Sequence, residues 1–220
     1  MDLSMYPLDL ILVPLSLLLT ASYHTYIWFS SKAKQPATTI GLAIAKRGTW
    51  AQSIIQDNKK RGMLGVQSLR NALMSAILSA STAIALSTSL AALSNNTYKS
   101  RHLLRHESFG SQEGSTVVLK YASALLCLLF SFSANSLAIG FIIDANFLIN
   151  ASEEEEYLIH KQAEKMLKRG YVLAVMGNRA LFVTLPLLLW LFGPTAMALS
   201  TVAMIVVFYK LDLGRIGFKG

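Results

Sequence analysis

The chain is short of charge, of acid and of cysteine. Only 15% of its 220 residues are charged, against about 25% in a typical soluble domain. Asp and Glu number 12 against 20 Lys and Arg, giving a net charge of +8. The single cysteine excludes an intramolecular disulfide framework and a cysteine-based zinc site. There is no metal-ligand box, no phosphate-binding glycine loop and no G-x-S-x-G elbow. An enzyme is therefore the least supported class, and no cofactor is expected. What is abundant is apolar surface: 53% of residues are hydrophobic and the mean hydropathy is +0.46. This excludes a disordered chain and points to an all-α integral membrane protein with basic connections.

A helix needs about 20 apolar residues to cross a bilayer core of about 30 Å. Four spans are expected, at about 6–29, 66–93, 117–149 and 179–209. The N-terminal segment MDLSMYP lacks Lys and Arg and carries Asp2, which argues against a cleaved signal peptide despite Thr20, Ala21 and Ser22. The apolar stretch 171–209 is too long for one upright span, and a hairpin turning at Gly193-Pro194 also fits its length. One span with kinks at Pro186 and Pro194 is preferred. A hairpin would leave Thr195 to Tyr209 short for a full crossing and would bury Arg179 near the bilayer centre.

Orientation follows the positive-inside rule. The first and third connections hold 13 of the 20 Lys and Arg, so they face the cytoplasm and both termini are expected outside or in a lumen. The sequon at Asn95 then lies outside and the one at Asn150 inside; a glycan on Asn150 would invert the orientation.

Two amphipathic helices are expected on the cytoplasmic side, at about 42–58 and 152–170. In the first, Arg47, Trp50, Ala51 and Ile54 share a face, which suits a helix in the headgroup layer anchored by Trp50. Lys59, Lys60 and Arg61 favour anionic lipid, or serve only as a topology signal. In the second, Ser152 and Glu155 make a capping box, Ile159, Ala163, Met166 and Leu167 form a stripe, and Gly170 suits the C′ position. His102 and His106 are four apart but have no third ligand nearby, so no metal site is expected.

Within the spans, Ser75, Ser79, Ala83, Ser87 and Ala91 place small residues at every fourth position, a face for helix packing or oligomer contact. Ser68, Ala72, Ala76 and Ala80 form a second row. Ser131 and Asn135 are the candidate pore face of span three, although Leu128 and Ile142 interrupt it. Cys127 reads as core rather than nucleophile. The topology brings Arg70, Asn71, Asp144, Asn146, Asn150, Asn178 and Arg179 to one membrane level. Asp144 is expected to pair with Arg70 or Arg179, leaving a surplus cation for an anion or lipid phosphate, or for a purely structural clamp.

The segments GTWAQSIIQD, VQSLRNALMSAILSASTAIALS, NFLIN and RGYVLAVMGNRALFVTLPLLLWLFGP, spread over Lys46 to Asp212, resemble an uncharacterised plant membrane family catalogued as domain of unknown function 599. The resemblance implies a four-span membrane protein and no established activity. The family pattern has Gln-Val before Asn-Phe-Leu-Ile-Asn where this chain has Asp144-Ala145, so the resemblance favours Arg70, Asn71, Asn146, Asn150, Asn178 and Arg179 over Asp144.

Two functions follow as expectations. One is a membrane scaffold or regulatory subunit that meets membrane lipids, anionic ones included, or a protein partner through its cytoplasmic helices. The other is a subunit of an oligomeric ion channel, anion-selective if the Arg cluster lines it, or a carrier. A homo-oligomer or a membrane-protein partner fits both. The charge reads as topology signal, so no nucleic-acid partner is expected. The location is the plasma membrane or an endomembrane, with no organelle address at the C-terminus.

Overall fold

The structure is a computed structural model that describes residues 7–32, 38–56, 58–97, 114–151 and 157–213. Six helices follow in order: α1 (Pro7–Ser31), α2 (Thr39–Gln56), α3 (Asn58–Thr97), α4 (Gly114–Ala151), α5 (Tyr157–Leu189) and α6 (Pro194–Leu213). All except α2 are long and apolar enough to cross a membrane. Their outward faces are apolar, with Leu18, Phe29, Leu78, Leu126 and Leu199 all exposed. In water this would be a large uncovered patch; in lipid it is the required surface.

The expected count of four spans gives way to five such helices, because 179–209 is not one helix. The chain leaves α5 through tight i→i+3 bonds, Leu191 N–H to Leu188 O at 3.1 Å, Phe192 N–H to Leu189 O at 3.0 Å and Gly193 N–H to Trp190 O at 3.1 Å. Gly193 then takes φ 144°, a conformation costly for any residue with a Cβ. Pro194 follows at the first position of α6, where its missing N–H leaves no donor unpaired. Phe182 meets Phe208 at 5.6 Å between ring centroids, so α6 returns antiparallel along α5.

The expected helix over 152–170 is not a separate element either. α5 runs unbroken through Gly170, which is buried inside the helix rather than ending it. A Cβ there would lie 2.8 Å from the Ile142 side chain and 3.3 Å from the Ala138 carbonyl. Its small size serves close packing. The proposed capping box, Ser152 and Glu155, falls outside the described residues, as do His102 and His106.

α4 and α5 form the centre of the bundle. The buried residues of α4 include a row of Leu128, Ser131, Asn135, Ala138, Ile142, Ala145 and Ile149, in alternating steps of three and four. Those of α5 include Ala163, Leu167, Gly170 and Gly177. This heptad spacing keeps one seam facing its partner along the whole helix. The α3 face against α4 has the same spacing, through Leu69, Ala76, Ala80, Ala83, Ser87 and Leu90. Of the expected α3 row, Ala83 and Ser87 are buried while Ser75 and Ala91 are exposed. Steps of four overshoot a helical turn by about 40° each, so such a row spirals off the seam.

α2 crosses one end of the bundle, here called the basic end; the Trp190–Gly193 turn marks the hairpin end. Thr38 caps α2, accepting from Gly41 N–H at 3.1 Å, and its hydroxyl meets Ser31 Oγ at 2.7 Å. The shared face of α2 is turned into protein rather than lipid: Ala51 and Ile54 pack with Ile149, Ala163 and Leu167.

Candidate functional site

The charge pairing expected for Asp144 is taken instead by Asp212. Arg179 Nη2 donates to Asp212 Oδ1, and Tyr23 Oη donates to Asp212 Oδ2 at 2.7 Å. Thr39 Oγ1 lies 3.0 Å from the Leu211 carbonyl and 3.1 Å from that of Asp212, supplying a donor to the last turn of α6. Arg179 also stacks on Phe208, with Cζ 4.2 Å from the ring centroid. One carboxylate thus ties α1, α5 and α6 together, while Thr39 adds α2. Its burial is nearly complete: the Asp212 side chain is 3% exposed and that of Arg179 19%. Tyr23 lies 14 residues past Asp9, about 21 Å along α1, so the cluster lies in the half of α1 nearer α2. The hairpin buries Arg179 within the bundle, and Asp212 offsets the cost of that burial.

Helical phase explains the exchange. Asp144 adjoins the seam residue Ala145 and is exposed. Arg179 lies two residues past Gly177, which faces α4; two residues turn the helix by about 200°, so Arg179 points toward α1 and α6. Arg70, Asn71 and Asn178 are exposed, and Asn146 is half-buried. Asn150 Nδ2 donates to the Asn146 carbonyl at 2.7 Å and to its Oδ1 at 3.1 Å. The seven residues expected at one level therefore do not form one cluster. Asp212 was hidden from sequence reasoning by the preference for a single helix; a turn at Gly193-Pro194 is the signal that carries it back to Arg179.

Ser131 and Asn135 lie in the α4–α5 seam. Ser131 Oγ donates to the Gly177 carbonyl at 2.7 Å, and Asn135 Nδ2 to the Ser131 carbonyl at 2.9 Å. Both residues are buried. At the hairpin end, Lys120 is 1% exposed. Its Nζ has no hydrogen-bond partner and sits 5.7 Å from the Trp190 ring centroid. Trp190 Nε1 in turn donates to Asp9 Oδ1 at 3.1 Å.

A pocket of about 510 Å³ with a mixed polar and apolar lining opens at the basic end between α2, α3 and α5. α2 contributes Lys46, Arg47 and Trp50; α3 contributes Ser68, Asn71, Ala72 and Ser75; α5 contributes Tyr171. Arg47 lies over the Tyr171 ring, with Cζ 4.2 Å from its centroid. The lining offers two cations and several hydroxyl or amide donors, with no carboxylate. Such a set suits a phosphate or carboxylate oxygen. Among the described residues no group of three His, Cys, Asp or Glu side chains is placed to hold a metal.

No curated protein and no solved structure matches the chain. A family model matches over residues 11–215, nearly the whole bundle. The chain therefore belongs to the family described as Protein of unknown function, DUF599.

Proposed function

We propose that the protein is a membrane-embedded scaffold whose basic end holds the headgroup of an anionic lipid. The observation that carries this reading is the carboxylate-free pocket, where Lys46 and Arg47 converge with Ser68, Asn71 and Ser75 at the level of the helix ends. Trp50 beside them suits the headgroup region. Five crossings strengthen the orientation argument. The tail with Lys210, Arg215 and Lys219 then belongs to the same side as the first and third connections, so 15 of the 20 Lys and Arg lie there once Arg179, buried against Asp212, is left out. By the positive-inside rule the basic end is cytoplasmic and the N-terminus is on the other side, in the plasma membrane or an endomembrane. A channel is less favoured because Ser131 and Asn135 are spent within the α4–α5 seam.

The test is native mass spectrometry of the full chain released from vesicles of phosphatidylcholine and phosphatidylserine. Each basic residue near the surface is worth about 1 kcal/mol toward anionic lipid. Replacing both Lys46 and Arg47 with Ala is expected to lower retained phosphatidylserine about 30-fold and leave phosphatidylcholine unchanged. Equal retention of phosphatidylserine by the two proteins sinks the reading. Salt-dependent ion flux in the same vesicles would replace it with the channel.

A further inference from the structure

Two outward faces of the bundle carry polar groups among apolar ones. On α3, Arg70, Ile77 and Ser81 share an exposed face, and on α4 so do Ser133, Leu137 and Asp144. Among the described residues Arg70 and Asp144 form no ion pair; the pairs there are Lys168 with Glu164 and Arg179 with Asp212. Ser81 is the exception among the hydroxyls around it. Ser79, Thr82, Ser87, Thr88 and Ser89 each donate to a carbonyl three or four residues back. The Ser81 hydroxyl makes no such bond and is exposed near the middle of the span Gly62–Ser94, where no water is at hand to satisfy it. Ser133 donates to the Leu129 carbonyl at 2.8 Å and keeps its lone pairs free to accept.

The register of the two helices sets the heights of these groups. Leu69 shares a buried cluster with Ala145, and Leu90 shares one with Ala124. α3 and α4 therefore run antiparallel, and the step between those positions is 21 residues on each helix. Arg70 follows Leu69 and Asp144 precedes Ala145, so the two charges stand at one membrane level. One residue turns a helix by about 100°. A step forward on one helix and a step back on its antiparallel neighbour turn the two side chains to opposite sides of the pair, so Arg70 and Asp144 point away from each other. Eleven residues separate Arg70 from Ser81, and eleven separate Ser133 from Asp144. That is about three turns in each case, which returns to the same face. An antiparallel contact that joins Arg70 to Asp144 thus also joins Ser81 to Ser133.

A second copy of the chain supplies that contact. Copies inserted in the same orientation share every membrane level, and each presents both halves, on opposite sides. We propose that the protein assembles head to tail, the Arg70–Ser81 face of α3 in one copy packing on the Ser133–Asp144 face of α4 in the next. Arg70 pairs with Asp144, and the Ser81 hydroxyl donates to Ser133 Oγ. Between these polar contacts Ile77 comes level with Leu137, and the adaptable Met74 with Gly140. Polar links of this sort join helices where lipid supplies no hydrophobic drive. The contact joins two different surfaces, so it repeats about an axis along the membrane normal, the arrangement that closes into a ring. The headgroup pocket uses another face of α3, through Ser68, Asn71 and Ser75, and this inference does not rest on it.

Cross-linking in bilayers tests both the faces and the direction. Cys127, the chain's one cysteine, is first replaced by Ala. Full chains carrying Ser81→Cys or Ser133→Cys in that background are placed in phosphatidylcholine vesicles, separately or mixed, and oxidised with copper phenanthroline. The mixture is expected to give a disulfide-linked dimer in about ten-fold higher yield than either chain alone, because the contact sets 81 against 133 and keeps like positions apart. Equal yields in the three samples, or no cross-link in the mixture, overturn the proposal. Exchange of the charges gives a second measure. Both side chains are exposed in the single chain, so Arg70→Asp or Asp144→Arg spares the fold and sets like charges across the contact. Each is expected to weaken association about 100-fold, read as energy transfer between N-terminally labelled copies on dilution with lipid. The chain with both substitutions regains opposite charges and is expected to associate within about three-fold of the parent. Unchanged association of either single variant, or a double variant no better than the singles, overturns the pairing.

Discussion

Along the α4–α5 seam, helices meet through Gly170, Gly177, Ala138 and Ala145, and backbone lies almost against backbone. Along α1, α5 and α6 they meet through Tyr23, Phe208, Arg179 and Asp212, and a crevice remains beside them. Lipid does not drive helices together as water does, so close packing and polar links must hold them. The seam relies on the first, with Ser131 hydroxyl to Gly177 carbonyl as its polar supplement. The α1–α6 side relies on the second. Small residues make a joint that is dry and insensitive to charge. A buried ion pair makes one that leaves space beside it but fails if either partner is lost.

The largest expected effect breaks the ionic side. Asp212→Ala leaves Arg179 uncompensated and is expected to destabilise the bundle by about 3 kcal/mol. Arg179→Met combined with Asp212→Leu removes both charges and is expected to recover most of that loss. Thermal unfolding in detergent micelles compares the two. If the single variant melts with the parent chain, the clamp contributes nothing.

A smaller effect tests the seam. A Cβ at Gly177 would run into Asn135 Nδ2 and lie 3.0 Å from the Ser131 carbonyl, whereas one at Gly140 meets nothing within 4 Å. Gly177→Val is expected to cost about 2 kcal/mol through overpacking. Gly140→Val, on the exposed face of α4, serves as the control and is expected to match the parent in the same melt. The smallest effect sharpens the contrast. Ser131→Ala removes one interhelical hydrogen bond and is expected to lower stability by about 1 kcal/mol. A loss as large as that of Asp212→Ala would show that the seam, too, depends on its polar link.

Much of this division was legible in the sequence. The spans expected at 6–29, 66–93 and 117–149 correspond to α1, α3 and α4, because length and apolar composition alone set a crossing. The Lys and Arg bias singled out the basic end. The seam was only half legible. Ser131 and Asn135 stood out as polar in an apolar helix, but a polar face reads alike whether it lines a pore or meets a glycine. Gly170 and Gly177 carry that answer, and they lie in α5, whose charged first half read as a separate interfacial helix. The ionic side was missed for one reason: Arg179 looked too costly near the bilayer centre while Asp144 was its only evident partner. The turn at Gly193 brings in Asp212, a residue that position in the sequence had assigned to a tail.

That turn also bears on how the protein is made. Asp212 is translated 33 residues after Arg179, so α5 reaches the membrane before its counter-ion exists outside the ribosome. Partitioned alone, α5 would carry a bare guanidinium into hydrocarbon. As one hairpin with α6 it carries a neutral pair, so the α5–α6 hairpin is the smallest piece of the bundle in which this charge is balanced.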